Sequence, residues 1–586
     1  KRMETWKENV LRPLELVQKC FDDQVGKGLT DKELCTATWG VENAFGDCFS
    51  EHAYNAIPWL TKAGIQSGKL SSGTLVRYRA MVQDIFDPEY FDGVLNVMQA
   101  DGTLKKVTSR YQDVFIPKGD AKVVAQGEHL MERVPYYCVS VPGESDWCRK
   151  TVAENDTMDV DEASKVKKRP VEDISSDVEQ VPQSQENVSK KSNIRAEQEG
   201  KHVKKANHME NLKSATPIPK KGDLTCIVKL YQETDWKLND MIEVVGILGV
   251  GSSSPPESSL ESDFMSLEIS ARQPPASLVP RVHCISHKVN PTPTGLETLS
   301  QSQCEEIRPT AIRLLMDYLE GDRLAAEYVL LWISSGVLSR VDDVIVGKLS
   351  LALTRVGENS KLQLLELLHS ILPAAQEIAL NVSELCASSI SPKKCYQSNK
   401  LQAGRLQTCN RTPIVVDETK LEEGKLDKQG IQNLQALVQV ATKQTVTYDF
   451  QYYTKDWPVD LPMIVVSGNK SPLVSGTDCN IPLFPSVCKP RKDTLYNLPE
   501  LRSYFHTIRN NTGREFAIGE DCINKIQADF VAARQRDSKN IHESDLHVWL
   551  NLARLWEQSH GSDSLSLQGW QAVQGLEKER RERATT

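Results

Sequence analysis

The stretch with the most chemical content runs Gly321-Asp322-Arg323-Leu324-Ala325-Ala326-Glu327-Tyr328, followed by an apolar run to Ile333. A Gly-Asp turn feeding an apolar helix has the outline of a loop that cradles nucleotide phosphates on backbone N–H groups. In such loops a Lys reaches the β- and γ-phosphates and a Ser or Thr hydroxyl holds Mg²⁺. Gly321, Asp322 and Ala326 fit that outline, but Glu327 stands where the Lys belongs and Tyr328 where the hydroxyl belongs. A carboxylate repels a polyphosphate, and a phenol does not replace a small hydroxyl on the metal. The expectation is the outline of a nucleotide site without its chemistry: no catalytic residue, no cofactor and no metal.

Two further landmarks read in the same sense. The apolar run Pro413-Ile414-Val415-Val416 ends in Asp417-Glu418, the layout of a strand whose Asp supports Mg²⁺ and whose Glu polarises water. Met463-Ile464-Val465-Val466-Ser467-Gly468 leads to Asn469, which fits a sensor position in AAA+ modules. Lys165, Lys167, Lys168 and Arg169 form a basic cluster that reads as a nuclear-import signal or as a solvated charge run. Ser391-Pro392-Lys393-Lys394 matches a cell-cycle kinase target, although Ser-Pro is also a plain turn signal, the preferred reading of Ser391.

The elements that must position these residues follow from composition and period. A chain of 586 residues exceeds one core, and three or so domains are expected. The net charge of −9 argues against broad binding of duplex DNA, so direct nucleic-acid binding is not expected. The 14 Cys are scattered without a Cys-x-x-Cys pair and read as buried reduced thiols. No apolar run reaches membrane-spanning length, and no membrane partner is expected.

Residues 1–72 carry apolar residues at helical spacing. From Gly73 the period drops to two, and residues 73–150 read as short strands. Residues 151–221, rich in Ser, Glu, Lys and Gln, read as a disordered linker. Strand character returns over 222–290, and the two strand blocks read as one OB-like barrel split by the linker. Arg77, Tyr78, Arg79, Tyr136 and Tyr137 would be its candidates for stacking single-stranded DNA, with ordinary strand residues the preferred reading. Residues 300–490 read as an AAA+-like α/β core, with one strand over 344–353 and an amphipathic helix over 362–372. Residues 493–586 read as a helical lid. The fold class is therefore α/β plus β-barrel.

In order along the chain, residues 77–87 (RYRAMVQDIFD), 137–147 (YCVSVPGESDW), 321–333, 415–424 (VVDETKLEEG), 447–453 (TYDFQYY) and 529–536 (DFVAARQR) resemble the MCM-binding protein family, including its plant members. That family is itself similar to subunits of the MCM helicase, with an OB domain, an AAA+ core and a helical lid in this order. Where such a subunit has Gly-Asp-x-x-x-Ala-Lys-Ser, this chain has Ala326-Glu327-Tyr328; the zinc ribbon and arginine-finger segment of the helicase are absent. The resemblance implies a non-catalytic nuclear partner of MCM helicase subunits, touching chromatin indirectly. It further implies a role in assembling or removing the complex, in support of replication and sister-chromatid cohesion. An ATPase with residual activity and a single-strand-binding OB protein are the alternatives.

Overall fold

A computed structural model describes residues 2–585 except 118, 120, 126–129, 150–219, 221, 251–278, 343, 358–361, 397–399, 423, 469–472, 486–495, 511–514, 538 and 540. The architecture is mixed α/β with several separate sheets, as the sequence predicts at that level.

Five strands form a ring: β1 (Leu75–Ile85), β2 (Leu130–Val139), β3 (Thr225–Leu230), β4 (Met241–Gly249) and β5 (Arg281–Val289). β1 pairs antiparallel with β2 and with β4, β2 with β3, and β4 with β5, while β3 and β5 pair in parallel, so the pairing returns on itself. The alternation seen in the sequence sets the two faces. Val76, Tyr78, Ala80 and Val82 of β1 point to one core with Cys138, Cys226, Val228, Val244 and Val282. Leu75 faces a second core, with Phe21, Trp39 and Phe45 of the N-terminal helical region. The β4–β5 register shifts at Gly246, where an added Cβ would sit 2.4 Å from the His283 carbonyl oxygen. A glycine is what lets two backbones approach that closely.

The second body is built on a parallel sheet of five strands: β6 (Leu351–Thr354), β7 (Gln376–Ala379), β8 (Ile414–Asp417), β9 (Met463–Val466) and β10 (Cys479–Pro482). Their order is β7-β8-β9-β6-β10, all parallel. Strands buried on both faces read as continuous apolar runs, and every residue of β6 and β9 is buried. The single strand expected over 344–353 is two: Gly347, at φ +93°, turns the chain between Val344–Val346 and β6.

One sheet face packs against a helical layer of α1 (Gln301–Tyr318), α2 (Arg323–Ser334), α3 (Leu364–Ile371), α4 (Leu498–Asn510), α5 (Glu543–Ser559) and α6 (Leu567–Thr585). The other face covers a smaller core with helix Lys428–Lys443 and hairpin Thr445–Pro458. Every residue of α2 from Leu324 to Ser334 is buried, as expected of a helix apolar all round. Ring and body are joined by buried polar bonds: Gln83 Nε2 donates to the Leu401 carbonyl at 2.6 Å, and Leu401 N–H donates to Asp84 at 2.8 Å.

Leu331 is wholly buried at the middle of α2. Leu331→Ala is expected to cost about 2–5 kcal/mol, read as a lowered thermal midpoint, whereas Leu11→Ala on an exposed helix end is expected to stay within about 0.5 kcal/mol.

Candidate functional site

The Gly321–Tyr328 stretch follows a helix. Gly321, at φ +82°, ends α1, its N–H donating to the Met316 carbonyl at 2.9 Å. Asp322 caps α2 by accepting from Ala325 N–H at 3.2 Å, and it pairs with Arg583 of α6 at 2.8 Å. Glu327 lies buried against Arg308 of α1 at 2.6 Å, and Arg308 also donates to Ser559 at 2.8 Å. The Tyr328 hydroxyl donates to Glu577 of α6, which also accepts from Trp549 Nε1 at 3.2 Å and from Arg580 at 2.8 Å. Burial and the Glu577 carboxylate push the Tyr328 phenol well above its ordinary range. Ala326 is wholly buried.

The reading of this stretch as the outline of a phosphate loop is corrected accordingly. A phosphate loop joins a strand to a helix; this turn joins two helices, and its acid and phenol are internal ties of the helical layer.

The strand–loop–helix unit lies between β6 and α3. Ligands of parallel sheets gather at the carboxyl ends of strands where the connections diverge. The chain leaves β6 for the far edge at β7, returns through β8 and β9, then passes β6 to reach β10. Residues 355–362, which follow β6, read Arg-Val-Gly-Glu-Asn-Ser-Lys-Leu. Against the phosphate-loop pattern, Arg355 and Ser360 take the two Gly positions, Lys361 the Lys position and Leu362 the hydroxyl position. Residues 358–361 lie outside the described residues, but the two ends of the segment are informative. Arg355 holds φ +59°, a region that favours glycine, at a position where the pattern has one. Leu362 packs into the helical core. The sequence signal was present: an apolar strand, then Gly357 and Lys361, then a Leu-rich amphipathic helix.

The ends of β6, β8 and β9 are knit together. Ser467 N–H donates to the Leu353 carbonyl at 2.9 Å, and Glu418 N–H donates to the Val466 carbonyl at 2.9 Å. Asp417 ends β8 half-buried, its Oδ1 accepting from the Thr419 N–H and hydroxyl at 2.9 and 2.7 Å. Glu418 is buried beside it. On the neighbouring strand β7, burial and the Asp417 charge push the Glu377 carboxyl up. The edge thus offers carboxylates, and the place of the metal-binding hydroxyl is held by a leucine.

The remaining candidates are scattered. Asn469 and the basic cluster of Lys165, Lys167, Lys168 and Arg169 lie outside the described residues. Ser391 is half-buried in a turn, its N–H donating to the Ser389 hydroxyl at 3.2 Å, and Pro392 behind it is buried. Arg77, Tyr78, Tyr136 and Tyr137 are buried in or around the ring, with Arg77 against Trp59, so they offer no face for a base to stack on. Arg79 pairs with Glu144 and Glu243. Among the described residues, no group of three His, Cys, Asp or Glu side chains is placed to hold a metal ion, and no helix is long and apolar enough to cross a membrane.

The sequence blocks that carry the family resemblance map onto the ring, α2, β8, the hairpin and the helix Glu520–Arg536, so the likeness spans both bodies. The family model described as mini-chromosome maintenance replisome factor matches residues 47–584. The chain belongs to this MCM-binding family. A mini-chromosome maintenance complex-binding protein of Arabidopsis thaliana is 32% identical, covering 97% of this chain and 98% of the relative. The proteins of the same name from Gallus gallus and Drosophila melanogaster are each 30% identical, covering 97% and 90% of this chain. In this family member, then, Asp322, Glu327 and Tyr328 hold helices together.

Placing a lysine at position 327 tests that role. Glu327→Lys would face Arg308 with a second buried cation. It is expected to cost about 3–5 kcal/mol, read by thermal unfolding, and to confer no Mg·ATP affinity in a calorimetric titration.

Proposed function

We propose that this chain is a non-catalytic partner of MCM helicase subunits that acts in the nucleus, assists their assembly or removal from chromatin, and so supports replication and sister-chromatid cohesion. The observation that carries the reading is the extent of the likeness: relatives named as binders of the mini-chromosome maintenance complex match end to end over 97% of the chain.

The architecture supports it. We infer that the ring is of the OB type, because its five strands close with one parallel pair between β3 and β5. The parallel sheet has its first strand flanked by the fourth and fifth, which we read as the AAA+ order. The helices of 493–586 would then be the lid, and the whole chain would have the outline of a helicase subunit, able to occupy a subunit's place. Loss of chemistry follows from residues 355–362, where a leucine stands in place of the Mg²⁺-binding hydroxyl and glycine is replaced at two positions. The basic cluster at 165–169 supplies a route to nuclear import.

Affinity purification of the full chain from nuclear extract is expected to recover MCM subunits, identified by mass spectrometry, with no Mg²⁺-dependent ATP turnover by the purified chain. Recovery of no MCM subunit would refute the binding reading, and robust turnover would refute the non-catalytic one.

A further inference from the structure

We propose that the cleft between the strand ring and the parallel-sheet body is a binding site for a phosphate-type oxyanion. The cleft has a volume of about 180 Å³, and its wall carries four arginines, Arg79, Arg411, Arg502 and Arg509, against one carboxylate, Glu144. That is room for a tetrahedral oxyanion beside arginine side chains, whose forked donors match phosphate oxygens.

Each wall is fixed by a different element. Arg79 comes from β1 and is held by Glu144 at 3.6 Å and Glu243 at 3.4 Å. Arg411 sits on the loop before β8, 3.7 Å from Asp460, with one nitrogen donating to the Ser335 carbonyl at 2.9 Å. Arg502 and Arg509 lie on α4 seven residues apart, with His506 between them on the same helix face.

The charge balance points to an anion. Glu144 and Glu243 offset Arg79, and Asp460 acts on both Arg411 and Arg509. Arg502 makes no ion pair among the described residues; it donates to the Ser370 carbonyl at 2.9 Å and stacks over Trp147 at 4.5 Å. Arg411 and Arg509 interlock, each donating to the other's carbonyl oxygen, so two cations are held side by side. Burial, with the Arg411 charge, lowers Arg509 to about 9. Burial also lowers Arg502 and, with Arg509 beside it, His506. Half-buried cations held together carry a desolvation and repulsion cost that an oxyanion offsets.

The test uses the full chain and isothermal titration with inorganic phosphate at fixed ionic strength in chloride. Saturable uptake is expected, weakened about tenfold or more by Arg502→Gln, the size of effect that loss of one charged hydrogen-bond donor gives. Asn410→Asp is the second variant. Asn410 lines the cleft, is exposed, and accepts from Asp460 N–H at 3.0 Å, a bond that aspartate keeps while adding a negative charge. It too is expected to weaken uptake, whereas Arg12→Gln, on an exposed pair far along the chain, is expected to leave it unchanged. A short glycine-flanked phosphoserine peptide separates the sources: tighter binding than inorganic phosphate marks a phosphorylated protein as the ligand, and equal or weaker binding marks free phosphate. No saturable uptake of either probe, or an affinity that both cleft variants leave untouched, would overturn the proposal.

Discussion

A helix buried on every side must satisfy its polar side chains inside the protein. In α2 that requirement falls on Asp322, Glu327 and Tyr328, and each reaches a different anchor: Arg583, Arg308 and Glu577. Arg308 continues to Ser559 of α5, and Glu577 accepts from Trp549 of the same helix. The N-terminal pair α1 and α2 is thereby tied to the C-terminal helices α5 and α6, some 250 residues later in the chain: Tyr328 and Glu577 are 249 apart. Removing one partner of such a buried set leaves a desolvated charge or donor behind, which costs more than the intact set contributes. The layer that backs the parallel sheet therefore depends on these contacts as much as on apolar area.

The sheet that this layer supports brings the ends of β6, β8 and β9 to one edge, with Asp417 and Glu418 at the end of β8. A parallel sheet gathers side chains at the carboxyl ends of its strands, and the residues delivered there decide what they can do. Here Leu362 packs, partly buried, against the helical core, and the Asp417 carboxylate is engaged by Thr419. The family to which the chain belongs has relatives named for what they bind.

Much of the architecture was legible in the sequence, for physical reasons that vary by element. The ring strands alternate because each has two different faces to satisfy, and Val76-Tyr78-Ala80-Val82 shows that alternation directly. The strands β7 (Gln-Glu-Ile-Ala) and β10 (Cys-Asn-Ile-Pro) mix polar with apolar residues and give no apolar run, whereas β8 and β9, of the same length, do. The Gly-Asp turn misled because the same two residues that open a phosphate loop also end one helix and cap the next. What separates the cases is the element before the turn, and α1 is a helix with a period visible in Ala311, Leu314 and Leu315. Residues 355–362 were overlooked because Arg355 and Ser360 erase the glycines that mark such a loop. The buried partners Arg308 and Glu577 had no sequence signal at all, since both sit on charged helix segments that read as solvated surface.

The central claim is that residues 321–334 form an internal structural helix and take no part in holding nucleotide. Hydrogen–deuterium exchange of the full chain, with and without Mg·ATP, tests it most directly. The account predicts that the α2 amides are among the slowest to exchange in the molecule and that their rates are the same in both conditions. Fast exchange across 321–334 in the free chain, or new protection there when Mg·ATP is added, would contradict it.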